Sequence, residues 1–468
     1  MRPRLHWAWA AWVCGGVVQA QVGLAFAQEP TPTGPQALAW PPALVAIYQA
    51  ALQRDGAVRS ARQDEASAMA RLDAANGSRW PQVNLSGNLN RTAQRLEYDE
   101  QALPDRQDVF RSYGYSLQMT QALYRRDDMA RREAARLALR QLAWQAGAAE
   151  QALWVRVVQP WFEACQFHWQ AQAAQSDVAR QQARADVLQR RWREGDAALP
   201  DVELAAADLA LAQARLAEAT AELAHRRFVL AELGGEPPAL AADACQAQAT
   251  TPDPGALETW LAWATERSPE LLAARQGVEV ARAQVSQAEG GRGPALDLVA
   301  SDSRAKQGPS ASIAVGNRAH TQTIGLQLSL PLFSGGTLNA KVREAAAALG
   351  KAQADHDTLL ARIRQDVANN WHSLRVTRAH ALAAQQRERA MGTQQEALAR
   401  KWRQGQATRA ELLVAEQELS AARAESVRLQ GLAVLAHARL QAQSGGEAPG
   451  ALPPPAVQPV QPAQASPD

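Results

Sequence analysis

The sequence predicts a mainly α chain built as two internal repeats, each interrupted once by a pair of β-strands. Three observations carry that prediction. The first is a near-duplicate: "RWREGDAALPDVELAAADLALAQAR" runs from Arg191 to Arg215, and "KWRQGQATRAELLVAEQELSAARAE" from Lys401 to Glu425. Trp192 and Trp402, Gly195 and Gly405, and Asp201 and Glu411 keep one constant offset, a whole number of heptads, so both copies can hold the same helix face inward. The second is a heptad seam. Val202, Leu209, Leu216, Leu223 and Leu230 recur with Ala205, Ala212 and Ala219 between them, the pattern of closely approaching antiparallel helices. The second copy is looser, with Leu412, Leu419 and Leu429 beside Ala415 and Ala422. The third is strict alternation. Tyr113, Tyr115, Leu117 and Met119 oppose Ser112, Gly114, Ser116 and Gln118; Ile324, Leu326, Leu328 and Leu330 oppose Thr323, Gly325, Gln327 and Ser329.

The elements follow in chain order. Residues 1–27 read as a secretory signal: Arg2 and Arg4 precede an apolar stretch, and Ala25-Phe26-Ala27 is a small-residue cleavage box. Residues 28–36 and the Pro-rich 447–468 are expected to be disordered. The first repeat spans 37–236. A helix over 38–78 stops at "NGSRWP"; strands follow at about 81–91 and 111–124, separated by a polar loop. A helix then runs from Arg125 to Glu194, with Pro160 expected to bend it, and a tip at about 191–203 turns the chain into a return helix. A helix-breaking connector covers 237–255. The second repeat, 256–446, has the same order: a helix over 256–290 stopped by "GGRGP", strands at about 294–304 and 321–334, a helix from Gly336 to Gln404, a tip at about 401–413 and a return helix. At 1.5 Å per residue each long helix measures about 105 Å.

Composition narrows the function. The 468 residues carry a formal charge of only +2, which gives nucleic-acid binding by bulk charge no support. After the signal, no stretch is apolar enough to span a bilayer as a helix, so any membrane passage must use a barrel. The alternating strands fit either a protein core or lipid outside and water inside. Their length near the roughly 9–11 residues of a membrane strand, the long polar loops and the lack of any segment to cover the sheet favour lipid. Four strands cannot close a barrel alone, and an open edge is not tolerated in lipid, so several copies must contribute. No G-x-S-x-G, P-loop, H-E-x-x-H or C-x-x-C motif occurs, which argues against an intrinsic enzyme, a metal site or a cofactor. The histidines are scattered along the helices.

The signal, the duplicated halves, the paired strands, the long helices and the Gly-centred tips together resemble the TolC family of outer-membrane channel proteins, over about 38–446. "SLPLFSGG" (Ser329–Gly336) is similar to that family's strand-to-helix junction, with Pro331, Gly335 and Gly336 at the turn. The resemblance implies a homotrimer in the outer membrane, with a shared 12-stranded barrel formed by four strands per chain. A long periplasmic coiled-coil tunnel would continue it, with a collar halfway. The tips would narrow the tunnel until a periplasmic adaptor and an inner-membrane ABC transporter or proton-driven pump engage them.

It also implies site residues. Tyr113, Tyr115, Leu117, Met119, Ile324, Leu326, Leu328 and Leu330 would face lipid. Glu411, Asp201 and Trp402 would form the periplasmic constriction, with Trp402 placed to donate its indole N–H to Asp201. Arg191, Trp192, Gly195, Lys401, Trp402 and Gly405 would meet the adaptor. The second acid of the family's ring corresponds here to Val414, and a basic residue after the glycine to Ala407. Asp201 and Glu411 also suit a simpler role, acids favoured near a helix N-terminus, and the two glycines a simple turn. In the framework of that fold, Cys165 and the connector's Cys245 fall at similar heights near the collar, about 60 Å and about 45 Å below the barrel, so a disulfide between them is expected, with two free buried thiols as the alternative.

The implied activity is a passive exit duct. Type I secretion of a protein (a toxin), as by the outer-membrane component of a cyclolysin-type exporter, is the expected use; small-molecule or multidrug efflux is the alternative. A periplasmic coiled-coil scaffold is the reading of another class. It accounts for the helices but leaves the strands without a purpose.

Overall fold

The computed structural model describes residues 40–96, 106–235, 245, 251–309 and 315–446. The expected signal (1–27), the segment 28–36, the tail 447–468 and most of the connector lie outside the described residues.

Two helices, α1 (Pro42–Arg54) and α2 (Gly56–Gly77), precede the first strands, β1 (Gln82–Leu96) and β2 (Arg106–Arg125). The long α3 (Arg126–Arg193) and its return α4 (Leu199–Gly234) complete the first repeat. The second repeats the order with α5 (Leu257–Arg267), α6 (Pro269–Gly290), β3 (Ala295–Gln307), β4 (Asn317–Ser329), α7 (Thr337–Arg403) and α8 (Arg409–Gln443).

The expected single helices over 38–78 and 256–290 are each broken. Asp55 is extended (φ −61°, ψ 125°), and its carboxylate caps α2 by accepting from the Val58 N–H at 3.0 Å. The same carboxylate holds Arg156 of α3, which pins the break to the long helix. Ser268 makes the second break, because Pro269 restricts the residue before it to extended backbone and starts α6.

The strands also differ from expectation. β1 runs to Leu96 and β2 starts at Arg106, while β3 runs to Gln307 and β4 starts at Asn317, so both hairpins extend into stretches expected to be polar loop. Polarity does not stop a ladder whose backbone groups are mutually paired. In the other direction, β4 ends at Ser329 rather than at 334. Leu330 therefore lies beyond the strand, where Pro331 supplies no N–H for the ladder. The α3 helix runs unbroken through the buried Pro160.

All four strands form one antiparallel sheet in the order β1-β2-β3-β4. A bulge between Ala122 and Tyr124 shifts the β2–β3 register near the helices. There Arg125 donates from Nε and Nη2 to the two carboxylate oxygens of the buried Asp297, at 2.9 and 2.6 Å, and locks the end of β2 to β3. The long helices pack in pairs, α3 with α4 and α7 with α8, and α3 also packs against α2, α6 and α8. On α4 the alanines of the seam, Ala205, Ala212 and Ala219, are each buried, as the alanine spacing requires.

The core sits at mid-length. Leu153, Trp154, Val157, Trp161 and Trp169 of α3 bury against Leu44, Tyr48 and Leu230 and against α8. These positions lie about 40 to 65 Å along α3 from the sheet. The Tyr48 hydroxyl donates to the Glu150 carbonyl at 3.2 Å, and burial pushes its phenol pKa up. A second cluster joins Trp260, Leu271, Ile363, Val367 and Leu440. Thr251–Gly255 bind α7 beside it: Arg378 donates to the Thr251 carbonyl and to Asp253, and Trp371 donates to the Gly255 carbonyl.

Candidate functional site

The sheet separates its side chains by chemistry. Directly opposed residues share a face, so the register assigns each side. On one face Val83, Leu85 and Leu89 of β1 stand beside Met119, Leu117 and Tyr113 of β2. Leu296, Leu298 and Ala300 of β3 stand beside Leu328, Leu326 and Ile324 of β4 on the same face. Tyr124 opposes Leu296 at the helix end, and Tyr113 and Tyr115 lie at the hairpin end, so tyrosines bound the apolar band. The other face carries Asn84, Ser86, Ser116, Gln118, Ser301, Ser303, Thr321 and Thr323. The apolar face is uncovered: Ile324 is 75% exposed and Leu326 66%, whereas Met119 is half-buried. β1 and β4 each pair on one side only among the described residues. From the level of Leu296 to that of Arg304 the face spans about 27 Å along the strand, or about 21 Å of bilayer at a tilt of about 40°; within it Asp302 and Gln322, at the level of Leu117, are polar.

At the base of β4 the junction turns on Gly335 (φ 59°) and Gly336 (φ 83°). Gly336 caps α7, and Leu332 and Phe333 are about nine-tenths exposed.

The two tips share one backbone solution. At the first, Asp196 N–H donates to the Arg191 carbonyl at 2.7 Å and Gly195 N–H to the Trp192 carbonyl at 3.1 Å. At the second, Gln406 and Gly405 do the same to Lys401 and Trp402, at 2.8 and 3.0 Å. This is the paired-bond stop of a helix that needs a left-handed residue, and the φ values of Gly195 (84°) and Gly405 (73°) meet it.

The tips differ in how the next helix begins. Thr408 caps α8: its Oγ1 accepts from the Glu411 N–H at 3.2 Å, while its own N–H and hydroxyl donate to Glu411 Oε2 at 2.7 and 2.9 Å. These bonds hold the exposed Glu411 carboxyl below its usual pKa. Ala198 stands in the Thr408 position of the first tip, and α4 has no side-chain cap. Asp201 is exposed in the first turn of α4. No hydrogen bond joins Trp402 to Asp201 among the described residues; the Arg409 guanidinium lies over the Trp402 ring instead, 5.5 Å from its centroid. Trp192 and Trp402 are both exposed, as are Arg191 and Lys401, and Arg191 reaches the Asp196 carbonyl. The residues the resemblance named thus cluster at two tips, with Arg409 and Thr408 added. Thr-x-x-Glu was a visible capping signal for Thr408; nothing local marked Arg409.

Cys165 and Cys245 are joined by a disulfide with their Cα atoms 5.4 Å apart, both fully buried in the mid-length core. The bond fixes the connector to α3.

A family model described as "Outer membrane efflux protein" matches residues 47–236 and 260–446, most of both repeats. The chain belongs to the outer membrane efflux protein family. It is 25% identical over 330 residues to the outer membrane protein TolC of Vibrio cholerae, covering 70% of this chain and 73% of that one. It is 36% identical over 104 residues to the alkaline protease secretion protein AprF of Pseudomonas aeruginosa. That stretch is 22% of this chain and only 21% of AprF. The crystal structure of the Campylobacter jejuni CmeC outer membrane channel superposes with a TM-score of 0.69 at 15% identity, covering 86% of each chain. The mainly helical chain with one four-stranded sheet has the fold of these channel proteins. As an outer membrane efflux protein it is a transport protein of the outer membrane, with its helices in the periplasm, and not an enzyme.

Proposed function

We propose that three copies of this efflux-family chain form the outer-membrane exit duct of a tripartite export system, and that its cargo is a protein secreted by the type I route. The observation behind the duct is the sheet. It has one apolar face, one polar face and, among the described residues, two unpaired edges; β2 runs directly into α3 and β4 leads through the Gly335–Gly336 turn into α7, each helix about 100 Å long. Three such sheets meeting edge to edge leave no free ladder and put the polar face around water. The likeness to AprF, a protein named for alkaline protease secretion, supports protein as the cargo.

In this reading Tyr113, Tyr115, Leu117, Met119, Ile324, Leu326 and Leu328 face lipid. Asp201, Trp402 and Glu411 line the closed end, and Arg191, Trp192, Gly195, Lys401 and Gly405 meet an adaptor that links the duct to an inner-membrane transporter. Small-molecule efflux is the second reading, favoured by the family description itself.

Deleting the gene and assaying both secreted protein and drug sensitivity separates the two. Loss of one culture-supernatant protein with unchanged drug tolerance is expected; the reverse pattern overturns protein as the cargo. For the closed end, Glu411→Ala is expected to weaken cation selectivity and block by multivalent cations in single-channel recordings. Unchanged recordings would remove Glu411 from the constriction.

A further inference from the structure

From the level of the tyrosines outward, the apolar face changes character. One row across the sheet reads Leu89, Tyr113, Lys306 and Arg318, each directly opposite the next. The row nearer the hairpin ends opposes Arg91 to Arg111. The row nearer the helices places Arg304 beside Tyr115 and His320. The rows are two residues apart, so all these side chains leave the sheet on the same side as Leu85, Leu117 and Ile324.

Two of the opposed pairs, Arg91–Arg111 and Lys306–Arg318, bring like charges face to face, which destabilises a ladder left to itself. None of these four cations has a carboxylate partner among the described residues. The one acid on this face of the described strands, Asp302, is hydrogen-bonded to His320. Lys306 Nζ lies over the Tyr113 ring and the Arg304 guanidinium over Tyr115, 5.6 and 6.0 Å from the centroids, which holds both heads at the level of the tyrosines. The hairpins point away from the helices, and the helices occupy the periplasm, so this belt stands at the outer surface of the membrane. Its lower edge, Arg304, stands about 21 Å above Leu296 along the membrane normal, close to the roughly 25 Å of an outer-membrane barrel.

We infer that the belt formed by Arg91, Arg111, Arg304, Lys306 and Arg318 is a binding site for the phosphate groups of the outer-leaflet glycolipid, seated between the like-charged pairs. A phosphate monoester between two guanidinium or ammonium groups turns each repulsive pair into two charge-assisted contacts. The tyrosines in its lower rows suit the junction between headgroup and acyl chain. The site does not depend on what the duct exports, but it does rest on the apolar face meeting lipid.

The test uses the assembled protein, stripped of lipid and held in a neutral detergent. Lipopolysaccharide, enzymatically dephosphorylated lipopolysaccharide, phosphatidylcholine and inorganic phosphate are titrated separately, with bound lipid counted by native mass spectrometry. At least tenfold tighter binding of the phosphorylated glycolipid than of the dephosphorylated form is expected. The variant R91Q/R111Q/K306Q/R318Q is expected to lose that preference while keeping its oligomer mass and circular dichroism. If the variant fails to assemble, the two glycolipid forms on the parent protein still decide. Equal binding of both forms, or an unaltered preference in an assembled variant, overturns the site. Inorganic phosphate that saturates the belt and displaces the glycolipid at equal concentration overturns the lipid as occupant. A chain that is monomeric in mild detergent would instead sink the barrel reading, a result visible before any lipid is added.

Discussion

Replacing both Cys165 and Cys245 by alanine should lower the melting temperature of the purified protein by several degrees. The bond closes a separation of 80 residues. In the chain-entropy description a loop of that size restricts the unfolded state by about 4.5 kcal/mol at 25 °C. Unfolding some 400 ordered residues carries an entropy of about 840 cal/mol/K, so the midpoint should fall by about 5 °C. Two small, fully buried side chains leave little cavity when truncated to alanine, so the loop term dominates. The assay is thermal unfolding by circular dichroism at one fixed scan rate, because unfolding of a large assembly is kinetically controlled. The parent protein in reductant should melt like the double variant. Midpoints agreeing to within about 1 °C would refute the argument. So would two alkylatable thiols found by intact mass in unreduced protein.

Gly405→Ala forces a side chain into φ 73° and should cost about 1–2 kcal/mol per protomer although space around it is open; Gly195→Ala should do the same, both read by thermal unfolding. Thr408→Ala removes the capping box and should cost about 1 kcal/mol, whereas Ala198→Thr at the matching position of the first tip should stabilise by a similar amount. The Glu411 carboxyl is depressed by the bonds from Thr408, so its contribution is present above its ordinary pKa of 4.5 and is lost as pH falls below it; Thr408→Ala should flatten that loss in a pH series of melts. His437 is buried beside Trp260 with its pKa pushed down to about 4, so folding keeps it neutral while the unfolded chain protonates near 6.5. Stability should therefore drop as pH falls from about 6.5 to about 4, by at most about 3 kcal/mol per protomer, and His437→Leu should abolish that slope.

Much of this fold was legible because it is periodic. The heptad of α4 marked Ala205, Ala212 and Ala219, which are buried, and the alternation of β2 and β4 divided their side chains into an apolar and a polar face. The long helices began and ended within a residue or two of their expected bounds. The breaks at Asp55 and Ser268 escaped because apolar spacing continues through them, although an Asp-Gly step and a Ser-Pro step marked both. The hairpins were underestimated because alternation fades where both faces are polar, while the ladder continues on backbone bonds. At the tips, the repeated glycines announced the turn, but the sequence could not divide Glu411 between capping and lining a channel. Arg125 with Asp297, and Tyr48 with Glu150, join residues 172 and 102 positions apart, a distance over which no local pattern speaks.

The unpaired borders of β1 and β4 have a genetic consequence. In the proposed assembly each subunit finishes its neighbours' ladders as well as its own, so a copy lacking β4 does not merely fail: it occupies a place in the ring and spoils two sound companions. With equal expression of intact and truncated alleles in one cell, roughly one ring in eight would be wholly intact in a three-membered assembly. A recessive-looking lesion in an outermost strand should therefore behave as a dominant one.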